Sequence, residues 1–186
     1  ASGYTGSVVT DATQIYTADI GGGTTFAFTV TVADGWNMVS VPGTNPAGMA
    51  PVNWWSNVVG SVFKFSGGYV PVTTTAPTEG YWMKNNGAET YNYPAIGIVT
   101  HTSIAAAAGW NLIGGYELTV PVGTLTTTPP GLLQLPIFEY SGGYIVATNI
   151  VPGYAYWAKM SAAGAIDAPP LAKGSADVVE YFKEDW

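Results

Sequence analysis

The chain reads as an all-β protein made of two tandem, homologous antiparallel β-sandwich or barrel-like repeats, preceded by an extended N-terminal β-arm. Three observations carry that reading. Gly35-Trp36-Asn37-Met38-Val39 returns as Gly109-Trp110-Asn111-Leu112-Ile113, Phe63-Lys64-Phe65-Ser66-Gly67-Gly68-Tyr69 as Phe138-Glu139-Tyr140-Ser141-Gly142-Gly143-Tyr144, and Tyr81-Trp82-Met83-Lys84 as Tyr156-Trp157-Ala158-Lys159. The offsets are 74, 75 and 75 residues, the sign of a duplicated unit. Thr, Gly, Val, Tyr and Trp are abundant, and this favours strands and tight turns. Short apolar runs are separated by Gly, Pro and Asn at the spacing of a small antiparallel sandwich or barrel.

In chain order, residues 1–33 form the arm. Thr25-Phe26-Ala27-Phe28-Thr29-Val30-Thr31-Val32 alternates, with Phe26, Phe28, Val30 and Val32 on one side. Gly21-Gly22-Gly23 punctuates before it, and Gln14-Ile15-Tyr16-Thr17 is a weaker strand upstream. A segment this short cannot bury both faces of a sheet by itself. It must pack on the repeats, on another domain or on another molecule. As a donor strand it would place Val8, Val9, Ile15 and Tyr16 in a neighbour's groove. Residues 34–104 form the first repeat, in which Asn85-Asn86-Gly87 is a hairpin signal between two strand-like runs. Residues 105–170 form the second, with Ser141-Gly142-Gly143-Tyr144 as a hairpin turn. Residues 171–186 are a tail in which Val178, Val179, Phe182 and Trp186 could share one helical stripe.

Composition narrows the function classes. Hydrophobic residues are 47% and charged ones 9%, which is the opposite of a disordered chain. Five basic residues, all Lys, stand against twelve acidic ones, for a net charge of -7. Phosphate-backbone binding rests on clustered cations, so nucleic acid is excluded as a partner. No run approaches the roughly 20 apolar residues of a membrane helix, so no membrane insertion is expected. The absence of Cys removes disulfides and thiolate metal sites. Low charge, no Arg and Thr/Gly/Tyr richness suit an extracellular or cell-surface protein.

No catalytic or metal site is expected, and no cofactor. His101 is the only histidine, so no histidine pair can build a relay or a metal centre, and a structural or solvated role is expected for it. No Gly-x-Ser-x-Gly elbow supports a nucleophilic serine. The sparse carboxylates are not paired in a way that suggests a glycosidase. Trp36, Trp82, Trp110 and Trp157 lie in the repeated blocks and are expected in the core, where a buried aromatic removes about 150–250 Å² from water. Trp54 and Trp55 occur in the first repeat only. Adjacent strand residues face opposite ways, so one of them is expected at the surface, free to stack on a sugar or anchor a subunit contact; core packing is the competing reading. Thr73, Thr74, Thr75, Thr126, Thr127 and Thr128 are candidate O-glycan sites, against ordinary loop and strand-edge Thr.

The repeated blocks resemble the tandem "GWN…GYW" repeats of secreted, multidomain bacterial surface proteins. The matching residues are Gly35-Trp36-Asn37 with Gly80-Tyr81-Trp82-Met83-Lys84, and Gly109-Trp110-Asn111 with Tyr156-Trp157-Ala158-Lys159, where Ala155 replaces a Gly. The resemblance spans roughly residues 34–170. It implies an all-β, extracellular, non-catalytic module and transfers no catalytic residues. Together with the arm, these readings lead to an expectation: a structural subunit of an extracellular filament or cell-surface fibre, a homopolymer assembled head to tail through its N-terminal strand. The alternative is a carbohydrate-binding or adhesive module of a larger surface protein, with glycans as partners.

Overall fold

The structure, a computed structural model, describes residues 24–168. Its local building block is a braced turn that occurs twice. Gly35 and Gly109 both adopt φ of 88°, a left-handed conformation that Gly takes without steric cost. The side chain of Asn37 accepts from Ala33 N–H at 2.9 Å and donates to the carbonyls of Ala33 and Gly35. Asn111 makes the same three bonds to Ala107 and Gly109. The Gly-Trp-Asn block is therefore a turn plus its brace, and the Trp is carried between them.

In the first half the strands are β1 (Thr25–Val32), β2 (Gly35–Ser40), β3 (Val62–Phe65), β4 (Tyr69–Val72), β5 (Gly80–Asn85) and β6 (Glu89–Gly97), with a one-turn helix α1 (Pro51–Trp54). The second half holds β7 (Ile104–Ala106), β8 (Gly109–Gly114), β9 (Val120–Pro121), β10 (Thr126–Thr128), β11 (Leu133–Tyr140), β12 (Tyr144–Val146), β13 (Asn149–Ile150), β14 (Ala155–Met160) and β15 (Gly164–Asp167). One four-stranded antiparallel sheet has the order β2-β5-β3-β4; the other has β8-β14-β11-β12. The order is the same when each repeated block is matched to its copy. β1 pairs with β6, and β7 with β15, which also pairs with β10. The fold is all-β and sandwich-like, and no sheet closes into a barrel.

Each small sheet covers one face of its four-stranded sheet. In the first half Val30, Val32, Tyr91, Tyr93 and Ile96 meet Val39, Val62, Tyr81 and Met83. In the second, Ile104, Ala106 and Ile166 meet Ile113, Ile137, Tyr156, Ala158 and Met160. Burial of one such aliphatic side chain is worth about 1.5–3 kcal/mol, so these layers carry the stability of the halves.

The strand expected at residues 25–32 forms and, of the partners left open to it, takes its own chain, so Phe26, Phe28, Val30 and Val32 pack here and not in a neighbour's groove. It pairs in register with β6 from Thr25–Gly97 to Val32–Glu89, broken by one bulge between Phe26 and Phe28. Val30 and Val32 are buried, while Phe26 and Phe28 are half-buried against the same core. The boundary at residue 34 thus cuts through one sandwich, and Ile104 opens the second half instead of closing the first. Val8, Val9, Ile15 and Tyr16 lie outside the described residues, as does the tail.

Asn85-Asn86-Gly87 turns the chain as its chemistry suggests, yet it does not join a hairpin. β5 and β6 belong to different sheets. Buried Asn85 donates to the Gly87 carbonyl and accepts from the Tyr91 hydroxyl, and Gly87 N–H donates to Asp34. These bonds carry the chain across the sandwich, where β1 is the partner of β6. Ser66-Gly67-Gly68 and Ser141-Gly142-Gly143, by contrast, do close hairpins, β3–β4 and β11–β12.

Candidate functional site

The outer faces of the two four-stranded sheets meet each other, and several contacts there come in reciprocal pairs. Val39 bridges to Tyr154, and Ile113 to Glu79. Ser40 N–H donates to the Gly153 carbonyl at 2.9 Å, and Gly114 N–H to that of Thr78 at 2.7 Å. Phe65 meets Trp157 edge-on at 4.9 Å, and Tyr140 meets Trp82 at 4.9 Å. Reciprocity of this kind is what a two-fold relation between like surfaces produces. Met38, Leu112, Ala155 and Trp157 fill the centre. Where equivalent positions face each other there is room for one side chain only. A Cβ on Gly114 would lie 2.3 Å from the Ser40 Cβ, and one on Gly80 would lie 2.9 Å from that of Ala155. This accounts for Ala155 standing where the first half has Gly.

Two aromatic grooves flank this contact. One, of about 440 Å³, is lined by Trp36, Phe63, Tyr69, Trp82, Tyr140 and Tyr144. The other, of about 490 Å³, is lined by Phe65, Trp110, Phe138, Tyr144 and Trp157. The rings are set alike in both. Trp36 stands edge-on to Trp82 at 6.4 Å, and Trp110 to Trp157 at 6.3 Å. Phe65 meets Tyr69 at 5.7 Å, and Tyr140 meets Tyr144 at 5.6 Å. Lys159 Nζ stands 5.7 Å from the Trp110 ring, a cation–π contact.

The grooves overturn the expectation that all four repeated Trp are core. Trp157 is buried and Trp82 half-buried, but Trp36 is 45% and Trp110 42% exposed. Trp36 and Met38 share one face of β2 by alternation. Met38 sits under the other half, while Trp36 is beyond its edge and is covered only in part. For Trp54 and Trp55 the core reading holds and the surface one does not: both are buried, at 2% and 1%. Pro51 starts a helical turn there, so the opposite-face rule of a strand does not apply. Trp54 packs on Tyr93 and Trp55 on Tyr81. Tyr93 donates its hydroxyl to the Trp54 carbonyl.

The Tyr of each Tyr-Trp block is a bracket. The Tyr81 hydroxyl accepts from Ala76 N–H at 2.7 Å, and that of Tyr156 from Val151 N–H at 2.9 Å. Burial pushes the Tyr156 phenol up to about 12, opposed by the Val151 bond. Burial also raises Tyr81 and Tyr93 well above the ordinary phenol value.

Among the Thr candidates, Thr75 and Thr127 are buried and cannot accept a glycan in the folded chain. Thr75 donates to the Met49 carbonyl, and Thr127 accepts from Leu132 N–H. Thr73, Thr74, Thr126 and Thr128 are exposed. The His101 side chain is 4% exposed, its Nε2 2.6 Å from Glu117 Oε2, and its ring stacks on Tyr116 at 4.1 Å. Glu117 carries no spacing signal that would have singled it out. This pair ties the segment entering β7 to the loop after β8. Among the described residues, no three His, Asp or Glu side chains converge as a metal site, and no helix is long and apolar enough to cross a membrane. Comparison with family models, curated proteins and solved structures gave no match.

Proposed function

We propose that the protein is a non-enzymatic structural subunit of an extracellular filament or cell-surface fibre, built from copies of itself. The observation that carries the reading is an uncovered apolar sheet margin. β12 ends its sheet, and Tyr144, Ile145 and Val146 are 56%, 47% and 58% exposed. Three consecutive apolar side chains on an unpaired strand invite a further strand, and a subunit that polymerises has a use for that liability. The absence of Arg and the low charge support a location outside the cell. Strand β1 does not serve as the donor, since β6 occupies it. The donor role falls to residues preceding Thr24. Sedimentation velocity and negative-stain electron microscopy of the full chain test the reading. Linear polymers are expected; a chain that stays monomeric at all concentrations sinks it.

A second reading, a carbohydrate-binding or adhesive module, is favoured by the two grooves. Exposed Trp36 and Trp110 offer flat faces to sugar rings, and Tyr69, Tyr140 and Tyr144 supply hydroxyls beside them. Glycan-array binding that is lost in Trp36→Ala and Trp110→Ala together supports it. Trp54→Ala and Trp55→Ala, by contrast, would report on folding.

A further inference from the structure

We infer that β12 is the sole acceptor edge of the two equivalent hairpin edges, and that the strand added to it is the segment of residues 7–17 from a second copy. This inference rests on the filament reading and names its contact. The argument starts from hydrogen-bond phase. In the second half Ser141 N–H bonds the Gly143 carbonyl, and Ala147 N–H bonds the Ile137 carbonyl. The register between these bonds is Tyr140–Tyr144, Glu139–Ile145 and Phe138–Val146. Hydrogen-bonded and non-bonded pairs alternate in an antiparallel ladder, so Tyr144 and Val146 are non-bonded positions. Their N–H and C=O groups point away from β11, towards the open side. In the first half Ser66 N–H bonds the Gly68 carbonyl, and the register continues Phe65–Tyr69, Lys64–Val70 and Phe63–Pro71. The outward positions there are Tyr69 and Pro71. Proline has no N–H, so β4 lacks the donor that β12 keeps at Val146.

One substitution thus separates two otherwise equivalent edges. A chain with one donor segment and one acceptor edge makes a heterologous contact, which propagates as an unbranched filament when it does not close. Two acceptor edges would branch it.

The choice of donor follows from the faces of β12. Tyr144 and Val146 lie on the aromatic-groove face, and Ile145 lies on the opposite one. An added strand must therefore offer apolar side chains on both faces at neighbouring positions. Val8-Val9 and Ile15-Tyr16 do so, unlike the one-sided alternation of Thr25 to Val32. Residues 7–23 span ~55 Å when extended, far enough to reach a neighbouring subunit.

Two variants of the full chain test this. Val146→Pro places Pro where the first half already accommodates Pro71, so the fold should survive, as checked by circular dichroism. If it does not, Ile145→Lys replaces it, since an edge Lys also blocks pairing. The second variant carries Val8→Asp, Val9→Asp, Ile15→Asp and Tyr16→Asp. In sedimentation velocity each alone should lose every species above monomer. An equimolar mixture should give dimers and nothing larger, because one partner keeps only the donor and the other only the acceptor. Filaments from the β12-edge variant would overturn the acceptor assignment while leaving the filament reading intact. Filaments from the Asp variant, or a mixture that stays monomeric, would overturn the donor assignment. A wild-type chain that never polymerises would remove the filament reading itself.

Discussion

The two halves of the molecule use the same braces and differ in what they bury and expose. Asn37 and Asn111 tie the same turn, Tyr81 and Tyr156 bracket the same loop, and Trp36 and Trp110 stand at the same rim. The first half fills its core with Trp54 at the end of a one-turn helix and Trp55 just after it, whereas the short helical turn of the second half, Val122–Thr124, buries Val122 and brings no Trp. The first half also carries Pro71 where the second half has Val146. The shared parts form the scaffold, and the differences lie in the filling and in the edges.

The largest expected contrast is between the buried and the rim indoles. Trp55→Ala should cost about 3–5 kcal/mol in urea unfolding, the range for a fully buried aromatic. Trp36→Ala, with nearly half its surface already in water, should cost about half as much. Equal losses would break the distinction between filling and rim. Next come the braces. Asn37→Ala and Asn111→Ala each remove three hydrogen bonds and should each cost about 1–3 kcal/mol, by similar amounts. A large inequality would show that the two turns are not equivalent.

At the contact between halves, Gly114→Ala should cost about 1–3 kcal/mol through overlap with Ser40, and adding Ser40→Gly should recover most of it. Recovery by the double variant, read in the same unfolding experiment, marks the overlap as the cause. The phenols sharpen the comparison through pH. Their folded pKa values lie above the unfolded value near 10, so the folded state holds protons that the unfolded state releases. The stability these three phenols contribute should be fully present below pH 10 and be lost as pH rises through 10 to 12 and beyond. Tyr156→Phe should remove part of that loss. The smallest effect belongs to Lys64–Glu79, an ion pair at 3.1 Å whose side chains are more than a third exposed. Lys64→Ala should cost no more than about 1 kcal/mol, shrinking further in salt.

Much of the fold could be read from the chain because the repeated blocks are local devices. A Gly with positive φ, an Asn two residues later and a Ser-Gly-Gly turn act within a few positions of themselves. What could not be read depends on distant partners. The pairing of β1 with β6 joins Thr25 to Gly97, and no local signal distinguishes a strand that meets its own sheet from one that meets a neighbour's. Its counterpart β7 is Ile-Ala-Ala, so the apolar alternation of the first half was not visibly repeated. The grooves were missed for a related reason: alternation places Trp36 and Met38 on one face without saying how far the other half extends over it. For Trp54 and Trp55 the choice between surface and core stayed open because Pro51 makes a turn of helix where a strand was assumed.

The single-occupancy positions at the contact between halves decide which surfaces can pair at all. If two first halves from different chains met in this way, Ser40 would face Ser40, and the space that holds one Cβ would have to hold two. If two second halves met, Ala155 would face Ala155 with the same result. Only an unlike pair supplies a small residue opposite a larger one at both places. A duplicated gene whose copies had stayed identical would leave like and unlike pairing equally open. These two residues instead direct each half towards its complement in the same chain.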